Sequence, residues 1–331
     1  GTVSGTSISF GSAVVFESAD TRDASAIFDS TNNKVVITYR DNGNSQYGTA
    51  IVGTVSGTSI SFGSAVVFES AASHNSAATF DSSNGKVVIA YRDDGNSYYG
   101  TAIVGTVSGT SISFGTPVVF NSATTTQIGA GFDSSNGKVV IAYRDGGNSE
   151  YGTAVVGTVS GTSISFGTPV LFTDSDGRFN TVTFDSNTNR IIISYYDDGN
   201  SNYGTAVEGS VTGTAVTFGS PVVFESADIG DKSATFDSTN NKVVIAYNDN
   251  GNSAYGTAIV ATSTTSTNLT SENFIGFSDA AYSDGDTATV QVVTALDDAQ
   301  SGLTTGSKHY VQNDGTLSTT AGSPSVLAGT A

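Results

Sequence analysis

Cysteine, methionine and tryptophan are absent from this chain. Without cysteine there is neither a disulfide framework nor a thiolate metal site. Basic residues are scarce: 12 Lys and Arg stand against 30 Asp and Glu, a net charge of −18. Nucleic acid and acidic membranes are bound through a basic face, which this balance does not supply, so neither is expected as a partner. The acidity is spread thinly along the chain, as on a solvated surface. Histidine occurs only at His74 and His309, too sparsely for a histidine metal cluster or a Ser-His-Asp set. No apolar run approaches the roughly 18 residues of a membrane-spanning helix, and membrane insertion is not expected. The first residue is not methionine and falls inside a repeat, as expected of a partial or processed product, from which a signal peptide could have been removed.

What the chain does have is a repeat. KVVIAYRDDGNS, Lys86 to Ser97, returns as KVVITYRDNGNS from Lys34, KVVIAYRDGGNS from Lys138, RIIISYYDDGNS from Arg190 and KVVIAYNDNGNS from Lys242. The spacing is 52 residues each time, and Phe10, Phe62, Phe114, Phe166 and Phe218 keep the same register. So do Tyr39, Tyr91, Tyr143, Tyr195 and Tyr247. A fixed period of this length means a solenoid, a propeller or an array.

Within one copy the pattern predicts four strands. Ser76 to Ser82 is followed by an Asn84-Gly85 turn, read as a two-residue type I′ hairpin with positive φ at both positions. Lys86 to Asp93 carries the apolar run VVIAY, as in a strand covered on both faces. Tyr99 to Val107 is rich in Gly and Ala, and Ser111 to Phe120 follows a Ser-Gly-Thr turn. Four antiparallel strands per repeat form a propeller blade. The fold class expected is all-β: a five-bladed β-propeller on residues 1–260, closed by pairing Ser7–Phe16 with Tyr255–Val260. An open array or a longer ring is the alternative.

The blade text FD-x-x-N-G-K-V-V-I-A-Y, with Gly167-Thr168-Pro169-Val170 and Gly219-Ser220-Pro221-Val222 later in the copy, resembles sialidase-type (BNR-like) repeats. Those families carry an Asp-box turn between third and fourth strands. Here the turn reads SGTSISF, Ser56 to Phe62, with no Asp, so no sialidase activity carries over. A closed ring of five blades also resembles the glycan-binding tachylectin in architecture.

Residues 261–271, ATSTTSTNLTS, read as a polar linker. Residues 272–331 read as a small β-rich module. NFIGFSDAAYSDGDTATV and SGLTTGSKHYVQNDGTLSTT resemble a module frequent at the ends of phage tail-fibre and other virion structural proteins, notably of marine phages. That resemblance implies a virion-surface protein.

Comparing the copies with one another locates the variable positions. One window changes almost completely: Asp20–Ala24, Ala72–Ser76, Thr124–Ile128, Asp176–Asn180 and Asp228–Lys232. The other is the hairpin tip at Gln46, Tyr98, Glu150, Asn202 and Ala254. In a meandering blade both fall on one rim, and variation confined to one rim of a fixed scaffold is how binding surfaces are built; drift in unconstrained loops is the competing explanation. The candidate ligand-binding residues are Arg22, Asp23, His74, Asn75, Gln127, Arg178, Phe179, Asn180, Asp231 and Lys232, with Gln46, Tyr98, Glu150 and Asn202 at the tips. Arg22, Arg178, Tyr98 and Phe179 suit sugar rings and hydroxyls.

Asp41, Asp93, Asp145, Asp197 and Asp249, with Asn44, Asn96, Asn148, Asn200 and Asn252, offer oxygens for Ca²⁺, though Asx turns account for the same pattern. The Asp29, Asp81, Asp133, Asp185 and Asp237 series reads as structural. No cofactor is expected beyond that calcium. Asp20, Asp23, Glu150, Asp176 and Asp231 are the acids from which a catalytic pair would be drawn. The expected function is a non-enzymatic virion surface structural protein, a fibre, spike or decoration. It would display multivalent sites for cell-surface glycan or other virion proteins and could self-associate as a homo-oligomer. A secreted or cell-surface bacterial lectin-like adhesin and a glycoside-cleaving enzyme are the alternatives.

Overall fold

A computed structural model describes residues 2–263 and, beyond them, 277–278, 290–291, 304, 307–311, 317–320 and 326–330. The chain divides into two compact units, Gly1–Ser263 and Thr264–Ala331. From residue 264 the expected linker lies outside the described residues, as does most of the module read at 272–331. In the second unit Lys308–Val311 pairs with both Leu317–Ser318 and Val326–Thr330. His309 is buried there, with Nδ1 at 3.0 Å from the Ser307 carbonyl and Nε2 accepting from the Thr304 amide at 3.2 Å.

The first unit is all-β, with antiparallel pairing that runs unbroken from Thr21–Asp29 to Tyr255–Ala261. The copy from Val66 shows the unit. Val87, Val88, Ile89, Ala90 and Tyr91 are all fully buried, so the unalternating apolar run of Lys86–Asp93 is a strand with both faces covered. It pairs residue by residue with Tyr99 to Gly105. The outer side of Tyr99–Ser108 is shared: its end takes Ser111–Phe114 and its start takes Val118 to Thr124. Between those halves the chain steps across Gly115, where a Cβ would run into the Thr162 carbonyl of the next copy; Gly63 against Thr110 and Gly167 against Thr214 repeat the close approach. Only glycine fits there.

Each seam between consecutive copies is aromatic. Phe68 meets Tyr91 with ring centroids 5.2 Å apart and Phe114 at 5.8 Å. Phe16, Phe120 and Phe172 make the same two contacts at the same register of the first, third and fourth copies. Edge-to-face rings in a dry seam add to the gain from burial itself.

Three expectations need correction. The variable window is not a loop: Val66–Asp81 is one continuous strand that begins on one sheet and ends on the next. The reason is a bulge, which lets a strand turn without leaving the ladder. The Asn84-Gly85 turn is not a two-residue hairpin, for Asp81 pairs with Lys86 and only Gly85 has positive φ. Asp81 Oδ1 accepts from the Ser83 and Asn84 amides at 2.9 and 3.0 Å, and that carboxylate builds the longer turn. Asn33, Asn189 and Asn241 hold the position of Gly85 at φ 55°, 53° and 54°.

Third, Ser7–Phe16 does not lie beside Tyr255–Val260. Ser7–Ser9 folds back on Thr2–Ser4, as Ser59–Phe62 does on the end of Tyr47–Ser56, and Gly5 at φ 60° makes the tight turn. The local hairpin needs no long-range closure, so it forms on its own terms. Among the described residues, Tyr255–Ala261 pairs only with Lys242–Asp249.

Candidate functional site

The bulge that turns each inner strand sets the geometry. The ladder shifts register between Arg22 and Ser25, His74 and Ala77, Thr126 and Gly129, Arg178 and Thr181, and Ile229 and Lys232. Asp23, Asn75, Gln127 and Phe179 occupy the left-handed region there, with φ between 51° and 55°. A non-glycine residue in that region costs about 1–2 kcal/mol, so these side chains are held in place against a local penalty.

Those residues meet. Asp23–Ala24, Asn75–Ser76, Gln127–Ile128, Phe179–Asn180 and Asp231–Lys232 line one pocket of about 320 Å³, two neighbours from every copy. A ladder of hydrogen bonds links the copies across it. The Gln127 amide donates to Asn75 Oδ1 at 2.9 Å, and the Phe179 amide to Gln127 Oε1 at 3.0 Å. Asn180 Nδ2 donates to the Gln127 carbonyl at 2.8 Å, and Lys232 Nζ caps the Phe179 carbonyl. Both bonds made by Asn180 Nδ2 go to carbonyls, which fixes the amide's orientation. Its Oδ1 is then a buried acceptor without a partner. Such an atom is expensive unless a donor reaches it. Burial pulls the Lys232 ammonium down to about 7, against the pull of Asp231.

The pocket gathers Asp23, Asn75, Gln127, Phe179, Asn180, Asp231 and Lys232 from the sequence-predicted set and leaves the rest outside. Arg22 is exposed and paired with Asp20 at 3.3 Å. His74 lies between Arg40 and Asp94, its Nε2 3.4 Å from Asp94 Oδ2. Burial pulls the His74 imidazole below its ordinary value, and Arg40 and Arg92 add to this while Asp94 and Asp23 oppose it. Arg178 donates to Asp176 at 2.8 Å and lies 5.7 Å from the Tyr196 ring. At the tips, Gln46, Tyr98, Glu150 and Asn202 all have φ of 65° or 66°. Arg92 covers Tyr98, which stays 49% exposed, and Arg144 pairs with Glu150.

The sequence reading missed Arg40, Arg92, Arg144 and Tyr196. Each pairs across the sheet with a window residue: Arg22, His74, Thr126 and Arg178 respectively. The signal was one position past the buried tyrosine, where the fourth and fifth copies change to Tyr196 and Asn248.

The Asp29 series makes turns in every copy, and the Asp41 series in all but the fourth, where Asp197 accepts from Ser175 Oγ instead. Asp41 Oδ1 accepts from the Gly43 and Asn44 amides at 2.9 and 3.1 Å, and Asp93, Asp145 and Asp249 bond the same turn. Of the acids considered for a catalytic pair, Asp20 is held below the usual carboxylate range by the Asn42 side chain. Burial pushes Asp176 up, but the Arg144 and Arg178 guanidiniums outweigh it and hold the carboxyl low. A general acid needs the opposite shift. Among known proteins, no family model and no curated sequence matches the chain.

Proposed function

We propose that this chain is a non-enzymatic binding protein of a virion surface, its first unit a five-bladed propeller that presents polar sites to cell-surface glycan or to another virion protein. One observation carries the reading: the residues that differ most between copies face one shared pocket. That pocket sets an aromatic ring, Phe179, beside carboxylates, amides and an ammonium. The unpartnered Asn180 Oδ1 calls for a hydroxyl or N–H donor, which a glycan supplies in numbers. The tip residues repeat outside it, and repeated weak sites gain by avidity. The virion assignment rests on the sequence of residues 272–331 and the location, virion surface or extracellular, follows from it.

The propeller reading draws on the seams. Phe224 packs on Tyr247 at 5.4 Å but has no second ring, while Phe10, which holds the register of Phe62 and Phe114, is 77% exposed. Nothing crowds Gly219 as the next turn crowds Gly63, Gly115 and Gly167. The fifth copy therefore leaves its outer seam open. A glycan array with the full chain tests the function. Binding that disappears in the Arg178→Ala, Phe179→Ala double variant supports the rim, and silence across the array points to a purely structural role.

A further inference from the structure

Two of the five copies are built differently: the third and the fourth set no glutamate against the buried tyrosine. In the first, second and fifth copies the buried tyrosine hydroxyl donates to a glutamate 22 residues earlier: Tyr39 to Glu17 at 3.4 Å, Tyr91 to Glu69 at 3.0 Å and Tyr247 to Glu225 at 2.9 Å. The other oxygen of Glu69 accepts from the Ala71 amide at 3.0 Å. In the third copy Asn121 takes the position and bonds Asp145 Oδ1 at 2.9 Å. In the fourth it is Thr173, whose hydroxyl pairs instead with Ser175 Oγ at 2.8 Å, and Ser175 with Asp197 at 2.5 Å.

In the fourth copy a pocket of about 360 Å³ is bordered by Thr173, Ser175, Tyr195 and Asp197. Tyr195 is fully buried, and its hydroxyl faces Thr173 rather than a glutamate. A second change accompanies the first. Asp174, on the pocket wall, stands where the other copies have Ser18, Ser70, Ser122 and Ser226. The fourth copy has lost the carboxylate that satisfied its tyrosine and gained one a residue away.

We infer that this pocket binds a neutral polyhydroxylated ligand of monosaccharide size. Asp174 and Asp197 repel anions and accept hydroxyl protons. Tyr195 and Thr173 line it with hydroxyls that donate as well as accept. Leu171, which is 40% exposed, and Pro221 offer an apolar edge to the C–H face of a sugar ring. The pocket shares no residue with the one that all copies line, so the two readings stand or fall separately.

The test is calorimetric titration of the full chain with the methyl glycosides of glucose, galactose, mannose and N-acetylglucosamine. At least one should bind with one site per chain that survives the Arg178→Ala, Phe179→Ala substitution. Thr173→Glu installs the residue that the first, second and fifth copies carry, so it should fold and melt no lower than the parent, yet weaken binding by about tenfold or more. Tyr195→Phe should weaken it as well. Silence with all four glycosides, equal affinity in Thr173→Glu, or a pocket that answers only to calcium would overturn the inference.

Discussion

The Tyr91 hydroxyl donates to Glu69 Oε2 at 3.0 Å across the seam between two copies, and Tyr91 itself is fully buried. Burial and the Glu69 carboxylate together push the Tyr91 hydroxyl well above its ordinary range. Glu69 also holds the Ala71 amide at 3.0 Å. Removing the carboxylate orphans both donors. Glu69→Ala should destabilise the chain by about 1–3 kcal/mol, read as a lower denaturation midpoint. In a cycle with Tyr91→Phe the double variant should lose less than the sum of the two singles.

The seams show what a sequence of this kind discloses. The period, the strand Lys86–Asp93 and the shared end of the two variable windows followed from spacing and from alternation, because each depends on residues close in the chain. The bulge did not. Asp23, Asn75, Gln127 and Phe179 share φ near 50° yet have no side-chain chemistry in common, so no residue type marked the position. Arg40, Arg92 and Arg144 were hidden by their constancy, which reads as scaffold until the cross-strand partner is known. The ends were misread because the Thr2–Ser4 segment, in the register of the end of Tyr47–Ser56, gives Ser7–Ser9 a local partner.

Ring closure has a direct check. In an inner seam Val66 pairs with Ala50, and the same register would set Val14 against Ala258. The chain has no cysteine, so Val14→Cys with Ala258→Cys makes any cross-link unambiguous. With the Tyr255–Ala261 edge unpaired by Ser7–Phe16, oxidation should leave two free thiols. A ladder of multimers would mean that the two edges pair between chains, and a monomer of raised electrophoretic mobility would mean that the ring closes through this edge after all.

The tips trade stability for side chains. Gln46 sits at φ 66° with its carbonyl accepting from the Ser73 amide at 3.1 Å, so its backbone is fixed whatever the side chain. Gln46→Gly relieves the left-handed strain and should stabilise the chain by on the order of 1 kcal/mol, less the extra freedom glycine has when unfolded. The denaturation midpoint should rise. A fall would show that the Gln46 side chain makes stabilising contacts of its own.

His74 sets a pH dependence whose sign is fixed by its surroundings. Burial disfavours the imidazolium in the folded chain, Arg40 and Arg92 oppose it further, and the attraction of Asp94 and Asp23 does not compensate. The folded-state pKa therefore lies below the ordinary value of about 6.5. Between the two values the unfolded chain carries the proton and the folded chain does not, so stability falls as pH drops through that window and is unaffected above it. His74→Gln removes the titration. Carboxylates contribute their own acid loss in both proteins, so the measure is the difference between them. From about pH 8 to about pH 5 the parent should lose more stability than the variant. Equal losses would mean that the histidine keeps its ordinary affinity for the proton at this seam, and a larger loss in the variant would mean that Asp94 holds it charged.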